Sequence, residues 1–108
     1  MENLVMLKNF KTYQLAVQFY RVCEQTRVPS HLRDQLLRAS SSIVLNIAEG
    51  AGKTTPKEQA RFYGISLGSL RECQAILHIG SQPIASRDSL ASQLGACLYT
   101  LAKKKTAA

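Results

Sequence analysis

The sequence contains no tryptophan, and aromatic residues make up only 6% of it. A β-sandwich fills its two facing sheets with aromatic and β-branched side chains, so this shortage points to helices packed through Leu, Ile, Val and Ala. Cysteines are few and scattered. Cys23, Cys73 and Cys97 are odd in number, and no Cys-x-x-Cys or Cys/His cluster accompanies them. Neither a disulfide framework nor a zinc site is suggested, and each cysteine falls within an apolar helical pattern, where a free thiol acts as a small hydrophobe. A reducing, cytoplasmic compartment is the expectation. No apolar run is long enough to span a membrane, and the stretch from Leu4 to Leu7 is too brief for a secretion signal. Acidic side chains are also short: seven Asp and Glu stand against fourteen Lys and Arg, for a net charge of +7. Such a balance suggests polyanionic partners, chiefly nucleic acid.

What is present is helical periodicity. At 108 residues and 45% hydrophobic, the chain reads as one domain, 1–108, able to bury a core without staples. Breaks fall at Pro29-Ser30, between Gly50 and Pro56, and between Gly80 and Ser86. They delimit four helices, at about 12–26, 30–50, 56–79 and 87–104. The first carries a stripe of Tyr13, Ala16, Val17, Tyr20 and Cys23, with Leu15, Phe19 and Val22 beside it. A helix so apolar around its circumference needs burial on more than one side, which points to a neighbouring subunit. Ser30 suits an N-cap and Gly50 a C-terminal cap for the second helix. Thr55, Pro56 and Glu58 form the opening of the third as cap, first helical residue and capping-box partner. The fourth is expected to bury Leu90, Leu94, Cys97, Leu98 and Leu101. Short connections between four helices predict an all-α, antiparallel up-down-up-down bundle.

Several motifs that could carry chemistry fail on inspection. Gly50-Ala51-Gly52-Lys53-Thr54 looks like a phosphate-binding loop, but Ile47 stands where the pattern needs glycine, and helix precedes it instead of a strand. Gly64 and Gly68 share a Gly-x-x-x-Gly spacing, which outside lipid is expected to let another helix approach closely. His31 and His78 read as surface residues, and Ser40-Ser41-Ser42 lacks a positioned base. A polar row is less usual. Arg38, Ser42, Asn46 and Glu49 share a face of the second helix, and Ser69 and Glu72 hold corresponding places on the third. The hairpin between these helices predicts an Arg38–Glu72 ion pair, at least partly buried. The row reads as a structural network that fixes register, since no nucleophile–base pair or metal-ligand set accompanies it. No catalysis, metal or cofactor is expected.

Folding the predicted topology sorts the charges. The chain start, the turn between the second and third helices and the chain end share one pole. It collects Lys8, Lys11, Lys53, Lys57, Arg61, Lys103, Lys104 and Lys105, against Glu49 and Glu58. The other pole is nearly balanced, with Arg21, Arg27, Arg33 and Arg87 facing Glu24, Asp34 and Asp88. The basic pole is the expected nucleic-acid surface, with a merely solubilising role as the alternative.

The run from Gln35 to Ile43, followed by Asn46-Ile47-Ala48-Glu49-Gly50, resembles the signature of the bacterial four-helix-bundle proteins known as 23S rRNA intervening-sequence proteins. These are related to the accessory variability determinants of diversity-generating retroelements. Lys57-Glu58, Phe62, Ile65, Gly68-Ser69-Leu70 and Glu72 continue the likeness. The resemblance implies a bundle that assembles into a ring-like homopentamer. For retroelement members it implies a basic protein that binds nucleic acid and associates with a reverse transcriptase. Carried over, Arg38, Asn46, Glu49, Gly50, Gly68, Ser69 and Glu72 are signature positions with structural or interface roles. Gly52-Lys53 stands where relatives often carry Gly-Arg, keeping the charge without the bidentate fork. Two readings follow: a homo-oligomer that binds RNA or DNA, or a protein-interaction module whose charge only solubilises it. The second rests on the lack of an aromatic platform for bases.

Overall fold

The computed structural model describes residues 7–103. It is built of four helices: α1 (Lys11–Gln25), α2 (Ser30–Ala51), α3 (Pro56–Gly80) and α4 (Ala85–Lys103), with no strand among the described residues. Consecutive helices pack against one another, and α1 also packs on α4, which closes the four into a bundle.

Contacts fix the direction of each pair. Along α2 and α3, Gln35 meets Glu72, Ser42 meets Ser69, and Gly50 meets Phe62 and Tyr63, so these two helices run against each other. Between α1 and α2, the Arg33 guanidinium donates to the Glu24 carbonyl at one end, and Tyr13 and Val17 lie beside Val44 and Leu45 towards the other. Gly50 has a packing role in this arrangement, and the expectation that it caps α2 is corrected. The helix continues through it to Ala51, and a Cβ there would sit 3.0 Å from both Phe62 Cβ and Tyr63 Cε1. No described residue adopts a left-handed backbone.

The helix ends follow the punctuation. At α3 the Glu58 N–H donates to Thr55 Oγ1 at 3.2 Å, as the capping motif predicts. The Glu58 carboxylate turns instead to Arg61. Ser30 is the first residue of α2, so Pro29 occupies the cap position and no side chain caps that end. α4 begins two residues earlier than the sequence suggests, because the Asp88 carboxylate reaches back to accept from the Ile84 N–H.

The core is formed by Leu15, Ala16, Phe19 and Cys23 of α1, with Leu36, Ile43 and Ile47 of α2. Tyr63, Leu70, Cys73 and Leu77 of α3 and Leu94 and Leu98 of α4 complete it. Fully burying side chains of this kind contributes about 1.5–3 kcal/mol each. On α1 the buried positions run Thr12, Leu15, Ala16, Phe19 and Cys23, and Thr26 just past its end is buried too. Tyr13, Val17 and Tyr20 of the expected stripe are only half-buried. They line a surface groove of about 290 Å³ with Ser41, Val44 and Leu45, whose side chain is largely exposed.

One layer of the core is polar. Cys23, Ser40 and Cys73 come from α1, α2 and α3, and each is fully buried. The Cys23 thiol is free, hydrogen-bonds with the Cys73 thiol and with Ser40, and feels the Arg87 charge from α4. The Cys73 hydrogen bond, the Arg87 charge and Ser40 together hold Cys23 below the usual thiol value against the opposing effect of burial. Cys73 is pushed well up, by its bond to Cys23 and by burial.

Candidate nucleic-acid interface

The end of the bundle holding the α2–α3 turn is organised around Phe62. Gly50 lets α3 approach α2 so closely that the Phe62 ring rises beside the turn. The Lys53 ammonium lies 5.1 Å from the ring centroid and the Arg61 guanidinium 4.6 Å from it, so the ring is flanked by two cations. Each cation also holds a carboxylate: Lys53 pairs with Glu49 at 3.1 Å and Arg61 with Glu58 at 3.2 Å. Phe10, at the start of α1, meets Tyr63 edge-on at 6.3 Å between centroids and brings Lys8 and Lys11 to the same end. Burial raises the Tyr63 phenol above its usual value. Lys57 projects from the first turn of α3. Leu70 touches Gly95, and Leu77 and Gln74 line one cleft with Ala91 and Arg87, so α4 runs against α3 and ends here with Lys103.

The sequence therefore assembles six described cations, Lys8, Lys11, Lys53, Lys57, Arg61 and Lys103, at one end with two carboxylates. Lys104 and Lys105 lie outside the described residues. Lys8, Lys11 and Lys57 are exposed and have no carboxylate partner among the described residues. Cations in this state can displace the counterions condensed on a nucleic acid and contact its phosphates without first breaking an ion pair.

The polar row is realised in part. Ser42 and Ser69 share a 2.9 Å hydrogen bond between α2 and α3. The Asn46 amide donates to the Ser42 carbonyl at 2.9 Å and to Ser42 Oγ at 3.1 Å. One turn deeper, buried Ser66 donates to the Ile43 carbonyl at 2.9 Å. The expected Arg38–Glu72 ion pair does not form. Both side chains are exposed, and Glu72 accepts from Gln35 at 3.1 Å instead. Helical geometry explains the miss. A four-residue step advances about 400°, so a row that faces α3 at Ser42 has turned some 40° outward at Arg38. Glu49 sits in the last turn of α2 and pairs with Lys53.

The opposite end holds the residue that sequence reasoning misplaced. Arg87, expected on a balanced charged surface, is only 3% exposed. Its Nε donates to Asp88 at 3.1 Å, Nη1 to Ser81 Oγ at 2.9 Å and Nη2 to the Gln82 carbonyl at 3.2 Å. It underlies an open cleft of about 840 Å³ that also takes in Arg27, His78 and Asp88. Each of its nitrogens is already committed to the α3–α4 connection, so the buried charge acts as a brace for that loop. Among the described residues no group of His, Cys, Asp and Glu could hold a metal ion, and no helix is long and apolar enough to cross a membrane.

No curated protein and no solved structure shows a significant match to the chain. A family model described as 23S rRNA-intervening sequence protein matches residues 4–103, which takes in all four helices and both ends of the bundle. With nearly the whole chain covered, and with four helices in the order that the signature around Asn46-Ile47-Ala48-Glu49-Gly50 implies, this protein belongs to the family of 23S rRNA-intervening sequence proteins.

Proposed function

We propose that this chain is a non-enzymatic, basic, homo-oligomeric bundle of the cytoplasm that binds nucleic acid through the end carrying Lys8, Lys11 and Lys57. The observation that carries the reading is the exposure of these three lysines, without carboxylate partners among the described residues, beside the Lys53–Phe62–Arg61 cluster. Association with a reverse transcriptase follows from the retroelement resemblance and forms part of the same reading.

Self-association is supported by the groove on α1 and α2. Tyr13, Val17 and Tyr20 lie half-buried there beside exposed Leu45, a surface that a second copy of the chain would cover. The sequence resemblance makes a pentameric ring the expected assembly, and a ring with parallel axes would gather the basic ends into one surface.

The test is binding of structured RNA and duplex DNA across a salt series, with the oligomer's mass measured alongside. Affinity should fall steeply with salt, and changing Lys8, Lys11 and Lys57 together to Glu should weaken it and flatten the slope by about three contacts' worth. An oligomer that binds neither nucleic acid at low salt would sink this reading and favour a protein-interaction module, the function that the apolar groove would then serve.

A further inference from the structure

Gly64 and Gly68 have no packing role inside the protomer. A Cβ added at either would meet nothing within 4 Å, so neither glycine admits another helix of the same chain. Both stand on the open side of α3. The contact between Leu70 and Gly95 sets the register of α3 on α4, and one turn beyond Gly95 it brings Tyr99 level with the stretch of α3 that carries the two glycines. Tyr99 is 52% exposed and is the only exposed aromatic residue among those described. A helical side chain leans over the turn before it, and that turn here offers only Gly95 and Ala96. The turn beneath the ring is therefore low on α4, and at the same level the exposed side of α3 carries no side chain at Gly64 and Gly68. The Lys103 ammonium lies over the ring, 4.8 Å from its centroid, and donates to the phenol oxygen at 3.1 Å, which fixes a cation against the ring.

We propose that Tyr99 is a stacking platform for an unpaired base, which makes single-stranded nucleic acid the preferred ligand class of the basic end. The proposal rests on the nucleic-acid reading above and narrows it. Every base presents a π-face, so stacking on a tyrosine is tolerant of sequence, but a duplex keeps those faces hidden in its own stack. Gly64 and Gly68 leave the adjoining surface bare, so that the sugar–phosphate chain leading from the stacked base can lie close to α3. Lys103 and Lys57, at the two helix ends beyond, supply cations along its path. The structure thereby provides the aromatic surface that the sequence alone did not reveal.

The experiment compares a labelled homopyrimidine single strand with a duplex of equal length, by fluorescence anisotropy at several salt concentrations. The wild-type protein should bind the single strand more tightly at each salt concentration. Tyr99→Ala should weaken single-strand binding by roughly 5- to 150-fold, the range for losing one base–aromatic stack. It should leave duplex affinity and the salt slope alone, and Tyr99→Phe should restore wild-type binding. Gly64→Leu, which fills the bare surface, should weaken single-strand binding while its melting temperature shows the bundle intact. Single-strand binding that is unmoved by Tyr99→Ala, or a preference for duplex, would overturn the stacking platform and leave the basic end as a plain phosphate surface. If the wild-type protein binds neither ligand at low salt, the broader nucleic-acid reading falls and takes this proposal with it.

Discussion

Arg87 and Lys57 carry the same charge at opposite ends of the bundle, yet Arg87 is 3% exposed while Lys57 stands in solvent. The difference lies in what the backbone offers each of them. At the Arg87 end the α3–α4 connection presents the Gln82 carbonyl and the Ser81 hydroxyl, and the first turn of α4 the Asp88 carboxylate, within reach of one guanidinium. Burying a cation costs several kcal/mol after relaxation, and only such a full set of partners offsets it. At the Lys57 end the turn from Gly52 to Thr55 provides no such set, and the cations remain at the surface or flank Phe62. A count of Lys and Arg cannot separate a brace from a binding surface. The arrangement of acceptors can.

The sharpest way to break this comparison is Arg87→Ala. It should cost about 2–4 kcal/mol, because it removes charge-assisted hydrogen bonds and leaves the loop's acceptors unpaired. The measurement is urea unfolding, and a midpoint equal to wild type would show that the two ends do not differ as described. Gly50→Ala probes the other end. Its Cβ would press on Phe62 Cβ and Tyr63 Cε1, and overpacking of this kind costs about 1–3 kcal/mol, more than the helix-propensity gain. Thermal denaturation should show a lower midpoint. Gly64→Ala should act in the opposite direction. With open space at its Cβ, it should stabilise the chain by up to about 1 kcal/mol through helix propensity alone. A loss of stability there would mean that α3 is covered by something in solution. Smallest of all, Ser69→Ala should cost about 0.5–1.5 kcal/mol for the bond to Ser42, read as a modest shift in the urea midpoint.

Much of this architecture was legible in the chain because the breaks are chemically sharp. Pro29, Pro56 and Pro83 interrupt helices for want of an N–H, and Thr55 marks the start of α3 with a hydroxyl that caps it. The rotation of α1 was not legible. Its circumference is apolar on two sides, so Leu15 with Phe19 and Tyr13 with Val17 compete equally until the other helices choose between them. The faces that carry the polar row were legible, but the side-chain pairing across the interface was not. Ser42 and Ser69 meet because neither can turn away, whereas Arg38 is long enough to reach water. The candidate surface was half legible. Its lysines could be gathered from topology alone, but the cation-flanked Phe62 and the exposed Tyr99 depend on close helix approach and register, which periodicity does not supply.

The polar layer of Cys23, Ser40 and Cys73 bears on how the fold excludes its rivals. A bundle lined only with Leu and Ile could slide one helix by a turn and exchange one apolar neighbour for another with little penalty. Here three helices each contribute one small polar group to a common contact, and a slip of a single turn would part the two thiols from each other and from Ser40. The layer therefore acts as an alignment mark, read once by α1, α2 and α3 when they close. Competing registers lose it entirely, which widens the energy gap between the native packing and its near neighbours.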